Sequence, residues 1–187
     1  MRNMARQKVN LTEVTLTALT LIDRESLDAL SLTAVAAELG IRPSALYTYF
    51  ENLEALRYAV AVRATVNLTD DLRNAAVGQA GDDAIMALAT TYRWFAGEHP
   101  GQYAATLSPP RRDDDELALA SVALTDVFAR VIANYGHQGE SAIHAARAAR
   151  SAIHGFVALE SGRCFAGPAD CQASFDHLVA TVITGLN

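Results

Sequence analysis

The stretch 31–57 reads SLTAVAAELGIRPSALYTYFENLEALR, and four of its side chains, Ser44, Ala45, Tyr47 and Thr48, fall close together. They offer three hydroxyls, two methyl groups and an aromatic ring. Hydroxyls bond base edges or phosphates, and methyl groups touch thymine, so the set suits a duplex groove. To act together the four must share an outward face. A helix turning about 100° per residue supplies one if Leu46 and Phe50, an i, i+4 pair, point inward. Tyr49 then lies at the edge of the buried side. Pro43 sits where a first helical residue belongs, with no amide to waste.

A helix before this one must fix its approach. Thr33 can cap it through its hydroxyl, and Val35, Ala36 and Leu39 point one way from it. Gly40 supplies the left-handed residue that ends it and permits a steep crossing. Ala36, four before Gly40 and ten before Leu46, leaves room for two helices to approach. That spacing is the general helix-turn-helix pattern. A helical hairpin packed in an ordinary all-α core is the alternative, and the weak positive charge of the region favours it.

Other chemistry finds little support. His99, His137, His144, His154 and His177 form no HxxxH pair. Cys164 and Cys171 have six residues between them, outside common zinc spacings. They are read as free thiols, with a disulfide as the lesser alternative. Asp113-Asp-Asp-Glu116 reads as a solvated helix start rather than a metal site. There is no phosphate-binding glycine loop, no GxSxG elbow and no carboxylate pair. No metal or cofactor is expected, and no catalytic residue.

The elements that position these groups read as helices throughout. Apolar residues recur at three and four, and Gly and Pro cluster at a few breaks, giving an all-α chain of about nine helices. The segment Leu11 to Arg24 is ambiguous. Val14-Thr-Leu-Thr17 alternates like a strand, whereas Leu11, Val14, Ala18, Leu21 and Ile22 make a helical stripe. Its length favours a helix. Near 84–97, Ile85, Leu88, Ala89, Tyr92, Phe95 and Ala96 share a face, with Trp94 opposite. Near 114–135, the stripe is Leu117, Ala120, Leu124, Val127, Phe128, Val131 and Tyr135.

The N-terminal stretch resembles the DNA-binding domain of TetR-family transcriptional regulators. The matching pieces are Leu30-Ser-Leu-Thr-Ala-Val-Ala-Ala, Leu39-Gly-Ile, Pro43-Ser-Ala-Leu-Tyr47, Tyr49-Phe50 and Asn52 before the next helix. The resemblance implies a three-helix domain over 1–56, and a helical effector-binding and dimerisation domain over 57–187. It also implies that Arg42, Pro43, Ser44, Ala45, Tyr47 and Thr48 approach bases or phosphates in the major groove. Thr33 and Tyr49 would approach backbone phosphates. The family often has His where Tyr49 stands and Lys where Leu53 stands. Without that Lys, affinity is expected to rest more on Arg42, on the N-terminal Arg2, Arg6 and Lys8, and on helix N-termini.

The second half resembles a C-terminal domain of one TetR subgroup, through Tyr92-Arg-Trp-Phe95, Glu98-His-Pro-Gly-Gln-Tyr103 and Ile153-His154-Gly155. Ala145, Ala149, Ala152 and Phe156 line one side of the helix near 140–162, and Ile143, Arg147, Arg150, His154 and Val157 another. A helix apolar on more than one side is buried on more than one side. With Phe175, Leu178, Val179, Val182 and Ile183 it could build a four-helix dimer interface. An effector site would draw on Tyr92, Phe95, Tyr103, Phe128, Arg150 and His154, and would take a mostly apolar molecule with one polar or anionic end. Packing of those aromatics in an ordinary core is the alternative.

Composition bounds the rest. Of 187 residues 51% are hydrophobic and 19% charged, which permits a packed core and excludes global disorder. Fifteen Lys and Arg stand against 21 Asp and Glu, a net charge of −6. The only local positive excess is Arg2, Arg6 and Lys8. No apolar run approaches the roughly 18 residues of a membrane span. The basic start resembles a signal n-region, but Glu13 breaks the apolar stretch, so a cytoplasmic protein is expected. The expected partners are operator DNA, a small effector and a second copy of the chain, with repression as the default. An all-α enzyme or an effector-free DNA-binding protein are the rivals.

Overall fold

The computed structural model describes residues 9–112 and 115–187. Arg2, Arg6, Lys8, Asp113 and Asp114 therefore lie outside the described residues. Among those described there are eight α-helices and no strand. A six-residue 3₁₀ helix, Pro43–Thr48, is the ninth helix of any length, beside two three-residue 3₁₀ turns. The expected all-α class stands.

Helix α1 is Leu11–Arg24, and the ambiguous tract is helical. Asn10 caps it, accepting from the Glu13 amide at 2.9 Å. Its threonines fit a helix because their hydroxyls find local acceptors. Thr15 donates to the Leu11 carbonyl and Thr20 to that of Leu16, at 3.0 and 3.1 Å. The stripe is corrected at one end. Leu11 is half exposed, and Leu19 joins Val14, Ala18, Leu21 and Ile22 inside.

Helix α2 is Leu32–Glu38. Its cap is Ser31, whose hydroxyl accepts from the Ala34 amide at 3.1 Å. The capping role expected of Thr33 is thus corrected. The buried Leu32 has to be the first helical residue for α2 to turn its apolar side inward, which moves the cap position one residue before it. Gly40 takes φ +63° and ends the helix as expected. Arg24 at the end of α1 grips Glu38 at the end of α2 at 2.5 Å.

One compact unit runs to Ala64 and takes in Pro100–Ser108. Its core gathers Val14, Ile22, Val35, Leu46, Phe50, Leu56 and Val60. Helix α3, Leu53–Ala76, begins in this unit. The short helix α5, Pro100–Ala105, belongs to it as well. Asp23 accepts from the Gln102 amide at 2.9 Å and from the Gln102 side chain at 2.6 Å. Gly101 permits the approach, because a Cβ there would lie 2.2 Å from the Ile22 carbonyl oxygen.

The second unit comprises Thr65–His99 and Pro109–Asn187. It holds α4 (Gly81–Glu98), α6 (Glu116–Ile132), α7 (Glu140–Ser161) and α8 (Cys171–Leu186). The expected face of α4 is buried in full. Six of the seven stripe residues near 114–135 are buried, and Tyr135 is half-buried in the 3₁₀ turn that follows α6. Asp115 caps α6, accepting from the Ala118 amide at 2.8 Å. The chain parts into units at Ala64 and Thr65, inside α3, whereas the expected domain boundary lies at residues 56 and 57.

Candidate nucleic-acid interface

The segment after Gly40 winds as a 3₁₀ helix rather than an α-helix. The Ala45 amide donates to the Arg42 carbonyl and the Tyr49 amide to that of Leu46, each at 2.9 Å. Pro43 holds its first position. At three residues per turn Leu46 and Tyr49 fall in line, and an α-type bond from the Phe50 amide to Leu46 turns Phe50 inward as well. Leu46 is fully buried and Phe50 nearly so, while Tyr49 is half-buried.

The other residues of the segment face outward. Arg42, Pro43, Ser44, Ala45, Tyr47 and Thr48 are all exposed, Tyr47 at 60%. The Thr48 hydroxyl donates to the Ala45 carbonyl at 2.7 Å, so it presents its methyl and an acceptor outward. Thr33 is exposed on α2. Tyr49 differs from these, because its hydroxyl donates to the Val9 carbonyl. Asn52 caps α3, accepting from the Ala55 amide at 2.9 Å. Leu53 packs against the core at the point where the family often carries a cation.

Charge near this face is sparse. Arg24 is held by Glu38 and Glu25, and Arg57 lies 3.6 Å from Glu54. The hydrogen bonds of those two carboxylates raise the Arg24 pKa, and Arg24 in turn holds the Glu38 carboxyl below its usual range. Arg42 lies exposed at the head of the 3₁₀ helix.

The residues proposed for an effector separate. Tyr103 lies in the first unit, while Tyr92, Phe95, Phe128, Arg150 and His154 lie in the second. Tyr92, Phe95 and Phe128 are each at most 1% exposed, and Tyr92 meets Phe128 edge-on at 6.5 Å between ring centres. Arg150 and His154 are half-buried on α7. Burial, then the charge of Arg150, pushes the His154 pKa down, so its imidazole stays neutral to lower pH.

One polar cluster escaped the sequence. Arg93 on α4 binds Glu160 on α7 through two nitrogens, at 2.7 and 2.5 Å. It also donates to Gln172 at 2.7 Å and lies 4.6 Å over the Phe175 ring. The Cys171 thiol donates to Glu160 at 3.1 Å. The hydrogen bond from Arg93 is the main reason the Glu160 carboxyl lies below its usual range. The bond to Glu160 holds the Cys171 thiol above its usual range. Both cysteines are free, so the disulfide alternative drops out. No group of three His, Cys, Asp or Glu among the described residues could hold a metal ion. No helix of those residues is long and apolar enough to cross a membrane.

Comparison with known proteins agrees with this geometry. Residues 15–60 match the model of the N-terminal domain of bacterial regulatory proteins of the TetR family. Residues 85–182 match a tetracyclin repressor-like C-terminal domain. The HTH-type transcriptional regulator Rv0681 of Mycobacterium tuberculosis is 37% identical over 90% of this chain and 78% of its own. The HTH-type transcriptional regulator YobS of Bacillus subtilis is 32% identical over 88% of this chain and 85% of its own. A TetR variant of Acinetobacter baumannii AYE, solved in complex with minocycline, shares the fold with a TM-score of 0.70 at 19% identity. That match covers 95% of this chain and 96% of the other. A three-helix head with an exposed 3₁₀ segment, followed by a second helical unit whose sequence matches its own family model, makes this chain a DNA-binding transcriptional regulator of the TetR family.

Proposed function

We propose that the chain is a cytoplasmic, homodimeric repressor that reads a two-fold operator and releases it on binding a small effector. The observation that carries this reading is the outward set Arg42, Pro43, Ser44, Ala45, Tyr47 and Thr48, held in place by the inward Leu46 and Phe50. Thr33 faces the flanking phosphates, and Tyr49 belongs to the same interface. Two such heads about 34–36 Å apart meet successive major grooves. The dimer forms through α7 and α8, where Leu178, Val182 and Ile183 remain half-buried and Ile143 exposed in the single chain. The head corresponds to residues 1–56 and the effector and dimer domain to 57–187.

In the second unit the effector residues are Tyr92, Phe95, Phe128, Arg150 and His154. Arg150 and His154 receive the polar or anionic end of an otherwise apolar molecule. The effector acts only by binding one of two head spacings more tightly than the other. A fold neighbour that carries minocycline supports a helical domain of this kind as an effector holder. The near-complete burial of Tyr92, Phe95 and Phe128 favours a second reading, a regulator with a filled core and no effector.

Gel shifts on duplex tiles from the region upstream of its own gene test the proposal. One tile is expected to bind, and binding should weaken steeply as salt rises. Absent or salt-insensitive binding overturns it. Native mass spectrometry of the protein as isolated from cells, with His154→Ala beside it, separates effector-bound from effector-free.

A further inference from the structure

The first unit also carries a groove that takes no part in the DNA-facing set. Leu11, Thr12, Thr15 and Leu16 of α1 and Arg63 of α3 line it, and its volume is about 230 Å³. All five residues lie within that unit. On α1 they form two i, i+4 pairs, Leu11 with Thr15 and Thr12 with Leu16, so the members of each pair are neighbours on the helix surface. Leu11 and Leu16 are 51% and 48% exposed, outside the core that Val14, Ala18 and Ile22 join. A single exposed leucine needs no explanation, but two along one groove give it an apolar floor. The polar groups there are donors. Thr15 directs its proton to the Leu11 carbonyl, whereas the Thr12 hydroxyl makes no hydrogen bond among the described residues. Arg63 is exposed and meets no carboxylate among those residues. Arg24, Arg57 and Arg73, by contrast, each stand beside one. No acid lines the groove, and Glu13 lines the more open hollow next to it.

We infer that this groove binds a short aliphatic carboxylate, its head held by Arg63 and Thr12 and its tail lying across Leu11 and Leu16. A guanidinium with no acid beside it complements a carboxylate, which its planar fork can hold through two parallel bonds. The leucine floor calls for an apolar tail. The volume is below the roughly 300 Å³ at which drug-sized sites begin, so the tail is short. A DNA phosphate suits the groove less well. It makes no use of the leucines, and Arg63 stands about 15 Å along α3 from Leu53, where the helix leaves the reading segment. The inference is independent of the operator reading and of the effector residues on α4, α6 and α7. Bound there, the acid bridges α1 and α3 inside the unit that presents Tyr47.

Octanoate titrated into the isotope-labelled full chain tests it, with the amide NMR signals of Thr12, Thr15 and Leu16 as the readout. These signals are expected to shift and saturate with octanoate. 1-Octanol keeps the tail and acetate keeps the head, and each should bind about tenfold more weakly or less. Arg63→Gln should weaken octanoate by about tenfold or more, and Arg63→Lys by less. Leu16→Asn should weaken it about three- to tenfold by removing floor. Both positions are exposed, so the variants are expected to fold as wild type. Signals at α1 that stay still overturn the inference, and so do shifts there that Arg63→Gln leaves unchanged. Shifts confined to α4, α6 and α7 overturn it as well and favour the effector reading instead. Binding that appears only after removal of residues 1–8 overturns it, because the full chain then fills the groove itself. Gel shifts address the remaining occupant. A salt slope shallower by about 0.9 for Arg63→Gln, in a chain that ignores octanoate, gives Arg63 to a phosphate.

Discussion

Tyr47 and Leu46 are neighbours with opposite duties. Tyr47 is 60% exposed and holds up no core, whereas Leu46 is fully buried among α1, α2 and Phe50. Tyr47→Ala is expected to leave stability within about 0.5 kcal/mol of wild type. It should cost roughly 1–3 kcal/mol in affinity for the bound tile, the worth of one good base contact. Leu46→Ala should cost about 2–5 kcal/mol of stability and lose DNA binding with it. Urea melts beside gel shifts separate the two, and a Tyr47→Ala protein that binds normally removes that side chain from the interface. This division was legible in the sequence, because two large apolar residues four apart can only turn inward together. The Arg93–Glu160 pair was not. Its members lie 67 residues apart, and single charges among apolar neighbours carry no sign of what they meet. The structure gives it a pH signature. The folded Glu160 carboxyl lies below its ordinary value, chiefly because Arg93 bonds it. Its contribution is therefore full above the unfolded carboxyl pKa and disappears as pH falls through the folded value. Glu160→Gln is expected to cost about 1 kcal/mol near neutral pH, since the pair is partly solvated, and progressively less as the pH falls below the ordinary carboxyl range. Melts across that range read the convergence, and parallel curves would show that the pair contributes nothing.

Among the elements, the short ones carry the most information. Helix α1 begins and ends where its stripe and length place it, and the back-bonded threonines explain why β-branched residues do not make it a strand. The 3₁₀ winding of Pro43–Thr48 was not legible. Over six residues, three and 3.6 residues per turn place Leu46 and the outward set almost alike, so the pattern cannot distinguish them. The location of α5 was hidden for a different reason, since its partner is the backbone of α1 rather than a side-chain pattern. Gly101→Ala tests that contact. A methyl 2.2 Å from the Ile22 carbonyl oxygen meets backbone, which cannot rotate aside. Destabilisation by about 1–3 kcal/mol or more is expected, whereas alanine at the exposed Gly97 of α4, where a Cβ meets nothing, should be neutral to slightly stabilising. Ser31→Ala should cost about 1 kcal/mol as the loss of a cap, and Thr33→Ala much less. If Thr33→Ala costs as much as Ser31→Ala, the assigned start of α2 is wrong.

At the scale of the whole molecule, charge and symmetry meet. A chain of net charge −6 carries a mean field that repels a polyanion, so binding depends on where its few cations stand. Pairing two copies doubles the phosphate contacts without changing that composition. It also makes the second head's encounter with its half-site intramolecular. The proposed seam can be broken from one residue. Val182 is half-buried on α8, at the rim of the stripe that carries the buried Phe175 and Val179. A carboxylate placed there by Val182→Glu meets its two-fold copy or its neighbours at close range and cannot be buried unpaired. Sedimentation at micromolar concentration is expected to show wild type at twice 20.0 kDa and the variant at 20.0 kDa, with helicity retained. The variant's salt slope on the bound tile should fall to about half, because each head then neutralises its own phosphates alone. A variant that stays dimeric and binds as wild type places the seam elsewhere. A monomer with an undiminished slope would mean that one head suffices, and the two-fold reading of the operator would have to be abandoned.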